Sequence, residues 1–319
     1  MGAGAVPEFE VRLQPPDLRP WLSGNTGIPG FTSFRSEAAG PHVAIVALTH
    51  GNEFAGAIVL DRLLRQGVRP ARGTLTLGFA NLAAFARFDP EQPTASRYLD
   101  EDLNRMWEPA VLDGPGRSLE RDRAREIRPL IDTVDMLVDL HSMLWPSEPL
   151  ILCGMTAKGR ALAAGLAAPA LVVADVGHPG GTRMIDYGAF ADPTLPQAAC
   201  LVEAGQHWRD ETVAMCEAAV VAPLHLVGAG PAVSGTPAHR HALVTHTIVA
   251  QTSQFAFVQA YRGGEVIGRR NTLIAVDGTA EVRTPYDACV LVMPSLRPTR
   301  GHTAVRLAKV QRKEEVLSL

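Results

Sequence analysis

Ala47-Leu48-Thr49-His50-Gly51-Asn52-Glu53 ends an apolar run that begins at His42, and an amphipathic segment from Ala55 to Arg65 follows it. Strand, polar turn and helix in that order form the unit from which open α/β sheets are built, and ligands bind such sheets at the carboxyl ends of the strands. The turn places His50 and Glu53 three residues apart, close enough to face one point. An imidazole nitrogen binds zinc at about 2.0 to 2.1 Å and a carboxylate oxygen at about 2.0 to 2.2 Å. A pair of this kind is also met at surfaces and helix caps, so this turn speaks first for the fold.

Outward from it the same alternation continues. Thr74 to Ala80 reads as a strand, Leu119 to Val134 as a helix and Met136 to Leu140 as a strand. Leu150 to Cys153 (strand), Lys158 to Ala167 (helix), Leu171 to Val176 and Ala198 to Val202 (strands) and Asp210 to Ala222 (helix) follow. The pattern predicts a mixed or parallel sheet with helices on both faces. Residues 1–40, rich in Pro, Gly and polar side chains, read as an irregular arm with room for one edge strand. Beyond residue 232 the texture turns to short β-rich runs between glycine turns, from Ala242 to Met293. We therefore expect an arm (1–40), a catalytic unit (41–232) and a small β-rich C-terminal domain (233–319).

Composition excludes several classes. The chain of 319 residues is 46% hydrophobic with mean hydropathy near zero, enough to bury a large core. Its apolar stretches fall short of the roughly 20 residues that cross a bilayer, and Met1 to Glu10 lacks a secretory pattern, so the expectation is a cytoplasmic protein without a membrane partner. With 30 basic and 33 acidic residues the net charge is −3, which gives no polybasic field for nucleic acid. Cys153, Cys200, Cys216 and Cys289 are scattered without a C-x-x-C pair and read as buried thiols, Cys200 among them despite its nearness to Glu203. Assembly into a homo-oligomer is compatible with the sequence.

Met136-Leu137-Val138-Asp139-Leu140-His141-Ser142 repeats the first motif, an apolar strand ending in histidine. His50, Glu53 and His141 make a His2Glu set that leaves one tetrahedral position open for water, as a catalytic zinc site requires. Asp139 reaches the same side as His141 if the strand is regular, and there it would orient the imidazole. Ala199-Cys200-Leu201-Val202-Glu203-Ala204-Gly205-Gln206 is a third strand end of this kind. Glu203 closing an apolar run is either a capped or salt-bridged residue or the base that a hydrolytic zinc site needs. Ser96 to Arg105 (SRYLDEDLNR) is too polar for a core element. It is a solvated loop or, since a guanidinium fork suits a carboxylate, a binding segment.

In this order the four segments resemble the succinylglutamate desuccinylase/aspartoacylase family, a branch of the zinc carboxypeptidase superfamily. The resemblance rests on Thr-His-Gly-Asn-Glu, Arg-Tyr-Leu-Asp-Glu-Asp-Leu-Asn-Arg, Asp-Leu-His-Ser and Val-Glu-Ala-Gly-Gln, and covers about Val43 to Gln206. It implies a three-layer α/β core with a mixed sheet and one zinc ion per chain on His50, Glu53 and His141. It further implies Arg97 as the polarising arginine, Asn104 and Arg105 as carboxylate binders and Glu203 as the general base. The activity it implies is hydrolysis of an N-acyl amino acid or related small amide. A metallocarboxypeptidase acting on short peptides and a silent zinc- or ligand-binding protein of the same fold remain open alternatives. Arg183, beside the Gly180-Gly181 turn, is either a reader of the acyl group or a solvated loop arginine. His178 and His207 lie near the site in sequence as substrate contact and support.

Overall fold

The computed structural model describes residues 9–232 and 238–311. The first eight residues of the expected arm, the residues just past the expected boundary at 232/233 and the last eight of the β-rich unit lie outside them. Fourteen strands are found among the described residues: β1 (Phe31–Arg35), β2 (His42–Ala47), β3 (Thr74–Phe79), β4 (Met136–Met143), β5 (Leu150–Leu152), β6 (Leu171–Ala174), β7 (Ala198–Gln206), β8 (Arg240–Val249), β9 (Phe255–Phe257), β10 (Val266–Ile267), β11 (Leu273–Asp277), β12 (Ala280–Arg283), β13 (Cys289–Val292) and β14 (Thr303–Gln311). The α-helices are α1 (Ala55–Arg65), α2 (Leu82–Phe85), α3 (Pro109–Leu112), α4 (Leu119–Ile131), α5 (Ala157–Gly165) and α6 (Asp210–Leu226).

Eleven strands form one mixed sheet in the order β1-β3-β2-β4-β7-β5-β6-β8-β14-β13-β10. Strands β3, β2, β4 and β7 run parallel at its centre, and β1 pairs antiparallel with β3 as the edge strand allowed for in the arm. Alternation along β2 sends Val43, Ile45 and Ala47 to one face and Ala44 and Val46 to the other, as the two-residue period of a strand demands. The first face is covered by Leu60 of α1, Leu162 of α5 and Val220 of α6, the second by Leu112 of α3 and Ile127 and Leu130 of α4. Burial of each such side chain contributes about 1.5 to 3 kcal/mol. The result is the three-layer α/β core that the alternation of elements predicts.

The β-rich C-terminal portion divides. Strand β8 pairs parallel with β6, and β14, β13 and β10 continue the large sheet beyond it. Strands β9, β11 and β12 form a separate three-stranded antiparallel sheet. Strand β14 is nine residues long and pairs with both β8 and β13, yet no apolar run announces it: Arg306 and Lys309 interrupt its alternation. No helix of the described residues is long and apolar enough to cross a membrane.

Two strands run past the ends that hydrophobicity marks. Strand β4 continues through His141 to Met143 and β7 through Glu203 to Gln206, because the backbone ladder between them persists where the side chains turn polar. His141 and Glu203 are register partners in that ladder, so they sit side by side on neighbouring strands.

Candidate metal centre and cavity

The site forms where β2, β4 and β7, adjacent and parallel, present their carboxyl ends. After β2 the chain turns sharply, with the buried Leu48 at φ 59, a conformation uncommon for a branched aliphatic residue. That turn carries His50 and Glu53 toward β4. One ligand atom each of His50, Glu53 and His141 lies within 4.8 Å of the others, and all three residues are buried.

Hydrogen bonds around the trio fix which ring nitrogens face inward. Asp139 Oδ2 accepts from His141 Nε2 at 2.8 Å and Asp102 Oδ1 from His50 Nε2 at 2.9 Å. A carboxylate can only accept, so the first bond is met by hydrogen on His141 Nε2. His50 Nε2 also meets Arg97 Nη2, a donor, at 3.0 Å, so its two partners ask for opposite tautomers, while the Nδ1 atoms of both rings face Glu53. Those Nδ1 atoms stand 2.9 Å (His50) and 3.0 Å (His141) from the two Glu53 oxygens. His50 Nδ1 has no hydrogen-bond partner despite that approach. Electron-pair donors converging in a buried space, one of them without a partner, fit a divalent cation, and a His2Glu donor set is one that zinc takes.

The trio's supports are specific. Glu53 Oε2 accepts the Ser142 N–H at 3.1 Å and its Oε1 accepts from Arg97 Nη1 at 2.7 Å. Burial pushes the Glu53 carboxyl up, but His50 and His141 outweigh it and hold the group well below the usual carboxylate range. Asp139 Oδ1 is in turn held by Thr49 Oγ1 at 2.9 Å. Because Asp139 fixes the His141 ring, Asp139→Asn should weaken metal binding by about 10- to 100-fold. Competition with a chelator measures this, and unchanged affinity would remove Asp139 from the support of the site.

Glu203 is 6% exposed and lines the cavity together with Glu53 of the trio, with Oε2 free of hydrogen bonds. Burial first, and Glu53 second, push its carboxyl up to about 8, against the pull of His141, Arg97 and Arg306. A cation at the trio adds a further downward pull.

The Ser96 to Arg105 segment is not a free loop. The buried Glu120, in the first turn of α4, accepts the backbone N–H groups of Leu99, Asp100 and Glu101 at 2.7, 3.0 and 3.2 Å and the Asn81 amide at 3.1 Å. Arg97 Nη2 also reaches Asp102 at 3.4 Å, and both residues line the cavity with Arg105. Burial lowers the Arg105 guanidinium to about 10, with Arg97, Arg306 and Arg183 adding to that shift against Asp102. Its Nη1 donates to the Asn104 carbonyl at 2.7 Å. The Asn104 side chain is turned to the protein, where Oδ1 accepts the Met184 N–H at 3.0 Å.

Arg183 departs from both readings of the sequence. It is 2% exposed, and its guanidinium is engaged by Asp175 (2.6 and 3.1 Å) and Asp186 (2.6 and 3.2 Å) rather than lining the cavity. Sequence adjacency to a Gly-Gly turn gave no hint of two acidic partners converging from 175 and 186. His178 lines the cavity; burial, then Arg105 and Arg306, lower its imidazole to about 3. His207 is buried beneath the trio, its Nδ1 2.7 Å from Ser142 Oγ. The four cysteines are buried and free, and Cys200 belongs to the core beneath the sheet. Asp102, Glu120 and Arg306 were not singled out from the sequence. For Glu120 a signal existed, a carboxylate in the first turn of a helix capped by Ser118.

The cavity measures about 780 Å³. Around Arg97, Asp102, Arg105 and Glu203 it is charged, while Tyr98, Met143, Leu144, Trp145 and Met293 give it an apolar wall. Val249, Pro294 and Thr303 bring the C-terminal strands to its rim.

An α/β sandwich here brings two histidines and a glutamate from the ends of adjacent parallel strands into one buried group that could hold a metal ion. The sequence profile of the succinylglutamate desuccinylase/aspartoacylase catalytic domain matches residues 39–211, and the chain belongs to that family. A stretch of 109 residues is 31% identical to N-acyl-aromatic-L-amino acid amidohydrolase (carboxylate-forming) A of Danio rerio; it covers 31% of this chain and 32% of that protein, so the match spans about a third of the relative. Among solved structures, succinylglutamate desuccinylase from Vibrio cholerae superposes with a TM-score of 0.70 at 16% identity, over 90% of this chain and 88% of that one. The ectoine utilization protein EutE from Ruegeria pomeroyi gives 0.63 at 17% identity, over 88% of each chain. At these identities the structural matches speak for the fold.

Proposed function

We propose that the protein is a zinc-dependent amidohydrolase that cleaves the amide bond of an N-acyl amino acid. The observation that carries this reading is the convergence of the His50 and His141 Nδ1 atoms on Glu53 with Glu203 beside His141 in register. His50, Glu53 and His141 would hold the ion. Zinc in that position supplies an acidified water and a polarised acyl carbonyl.

The chain's own residues do the rest. Glu203, with one oxygen free of hydrogen bonds and a carboxyl poised near neutrality, takes the proton of the attacking water and passes it to the leaving amine. Arg97, fixed by Glu53 and Asp102 at the cavity wall, faces the tetrahedral oxyanion. Arg105 takes the amino-acid carboxylate, and Asn104 supports it through its carbonyl and its grip on Met184. The apolar wall around Trp145 accommodates the hydrocarbon part of the substrate. Residues 41–232 supply the catalytic groups, and β8 and β14, which extend the same sheet, border the cavity through Val249 and Thr303.

The test is a mass-spectrometric screen of the zinc-loaded protein against N-acetyl, N-succinyl and N-aroyl amino acids and dipeptides. Release of free amino acid from the N-acyl compounds is expected. Cleavage of dipeptides alone would make the protein a carboxypeptidase, and no cleavage at all a binding protein.

A further inference from the structure

Leu99, Asp100 and Glu101 belong to no helix or strand, so their backbone N–H groups have no ladder to pair in. All three point to one carboxylate, that of Glu120, which also accepts the Asn81 amide. Successive N–H groups turned to one side make a concavity for an anion, and here the chain's own side chain fills it. Glu120 is fully buried there. The loop grips the same helix end in return: Asp100 Oδ2 accepts the Leu119 N–H at 2.9 Å, and Glu101 accepts from Arg121 Nη2 at 2.9 Å.

On either side of those three residues stand the groups that the site uses. Arg97 precedes them, Asp102 and Arg105 follow, and all of these line the cavity. Asp102 reaches His50 at 2.9 Å and Arg97 reaches Glu53 at 2.7 Å. The loop also lies directly on the turn that carries His50 and Glu53. Its Arg97 carbonyl accepts the Gly51 N–H at 3.0 Å, and a Cβ on Gly51 would stand 2.5 Å from the Ser96 carbonyl oxygen. A shift of the loop is therefore felt at the metal centre and at the cavity wall together.

We propose that Glu120 is a positioning residue: by filling the concavity it sets where Arg97, Asp102 and Arg105 stand, and so governs both the hold on the metal and the handling of the substrate. It does not line the cavity and acts only through the loop. The inference rests on the deacylase reading where turnover is measured, whereas the order of the loop and the hold on zinc do not depend on it. Glu120→Gln tests it sharply, because the amide keeps the volume but turns an NH2 group on N–H donors, so the four contacts of the carboxylate cannot all be made. A displacement of about 1 Å in groups that position a substrate is enough to cost about 10²-fold in rate.

The experiment compares the full-length parent with Glu120→Gln, Glu120→Asp and Leu130→Ala. Leu130 is a buried core residue further along the same helix, so its truncation lowers the melting temperature and leaves every partner of Glu120 in place. In Glu120→Gln, hydrogen exchange across residues 97–105, read by mass spectrometry, should be faster than in the parent. Zinc affinity from chelator competition should fall about tenfold, the lower end for losing the support of a ligand. The ratio kcat/KM should fall about 10²-fold, with kcat lowered and KM raised together because Arg97 and Arg105 move with the loop. Glu120→Asp keeps the charge and both acceptors at shorter reach and should recover part of each loss. If Glu120→Gln does not fold, Glu120→Asp carries the test, with smaller losses in the same direction. Leu130→Ala should keep parental exchange in the loop, zinc affinity and KM. The proposal is overturned if the Glu120 variants exchange like the parent, if the loop loosens while zinc affinity and KM hold, or if Leu130→Ala shows the same losses. A parent that leaves every acyl substrate intact sinks the deacylase reading instead, and exchange and zinc affinity still decide the role of Glu120.

Discussion

Glu203→Gln should lower kcat by about 10²- to 10⁴-fold, the range expected for losing general acid-base help. The substitution keeps the size and hydrogen-bonding capacity of the side chain but removes its basicity. It touches none of the three residues proposed to hold zinc, so metal content should remain at about one per chain. KM should change little, because Arg97 and Arg105 stay on the cavity wall. The strand itself should not suffer, because the amide has the size of the carboxyl and relieves the like-charge contact with Glu53 that raises it. Near-normal turnover would deny Glu203 the role of base. Loss of zinc would make it a ligand and leave the base to be found.

The second large effect is expected at His141. His141→Ala should reduce bound zinc from about one per chain to a small fraction after dialysis, with activity falling in parallel, since two donors alone make a weak site. Stability should fall too. Removing the ring leaves Asp139 and Glu53 with fewer partners in a buried space, a loss of about 3 to 5 kcal/mol for a broken buried pair. The remaining contacts, Thr49 to Asp139 and Ser142 N–H and Arg97 to Glu53, should keep the chain folded. Elemental analysis and circular dichroism read the two effects separately. A folded variant with full zinc occupancy would remove His141 from the metal site, whereas an unfolded one calls for His141→Gln, which keeps more of the volume and a hydrogen bond to Asp139.

Asp102 shows where a linear reading stops. It lies in a segment quoted for Arg97, Asn104 and Arg105, but its task, orienting His50 from 52 positions away, exists only once the loop is folded over the turn after β2. Glu120 holds that loop in place by accepting three successive backbone N–H groups; its place in the first turn of α4 is legible in the sequence, the loop that it holds is not. Arg183 shows the opposite error: a charged residue beside glycines reads as exposed, and two distant carboxylates make it buried.

The sequence by itself determined the layered α/β core, because apolar runs of two periods alternate along the chain and each period buries one kind of surface. It also determined which residues stand at the strand ends, His50, Glu53, His141 and Glu203, because a polar side chain closing an apolar run is visible without coordinates. Only the tertiary structure decided the order β2-β4-β7 that gathers those ends and the register that sets Glu203 beside His141. It also decided which carboxylates reach the two imidazoles, Asp102 at His50 and Asp139 at His141. The physical reason is range. Periodicity and turn chemistry are local and can be read in a short window, whereas hydrogen bonds and ion pairs join groups 52 positions apart, as Asp102 and His50 are, or 199 apart, as Arg209 and Glu10 are, once burial of the core has brought them together.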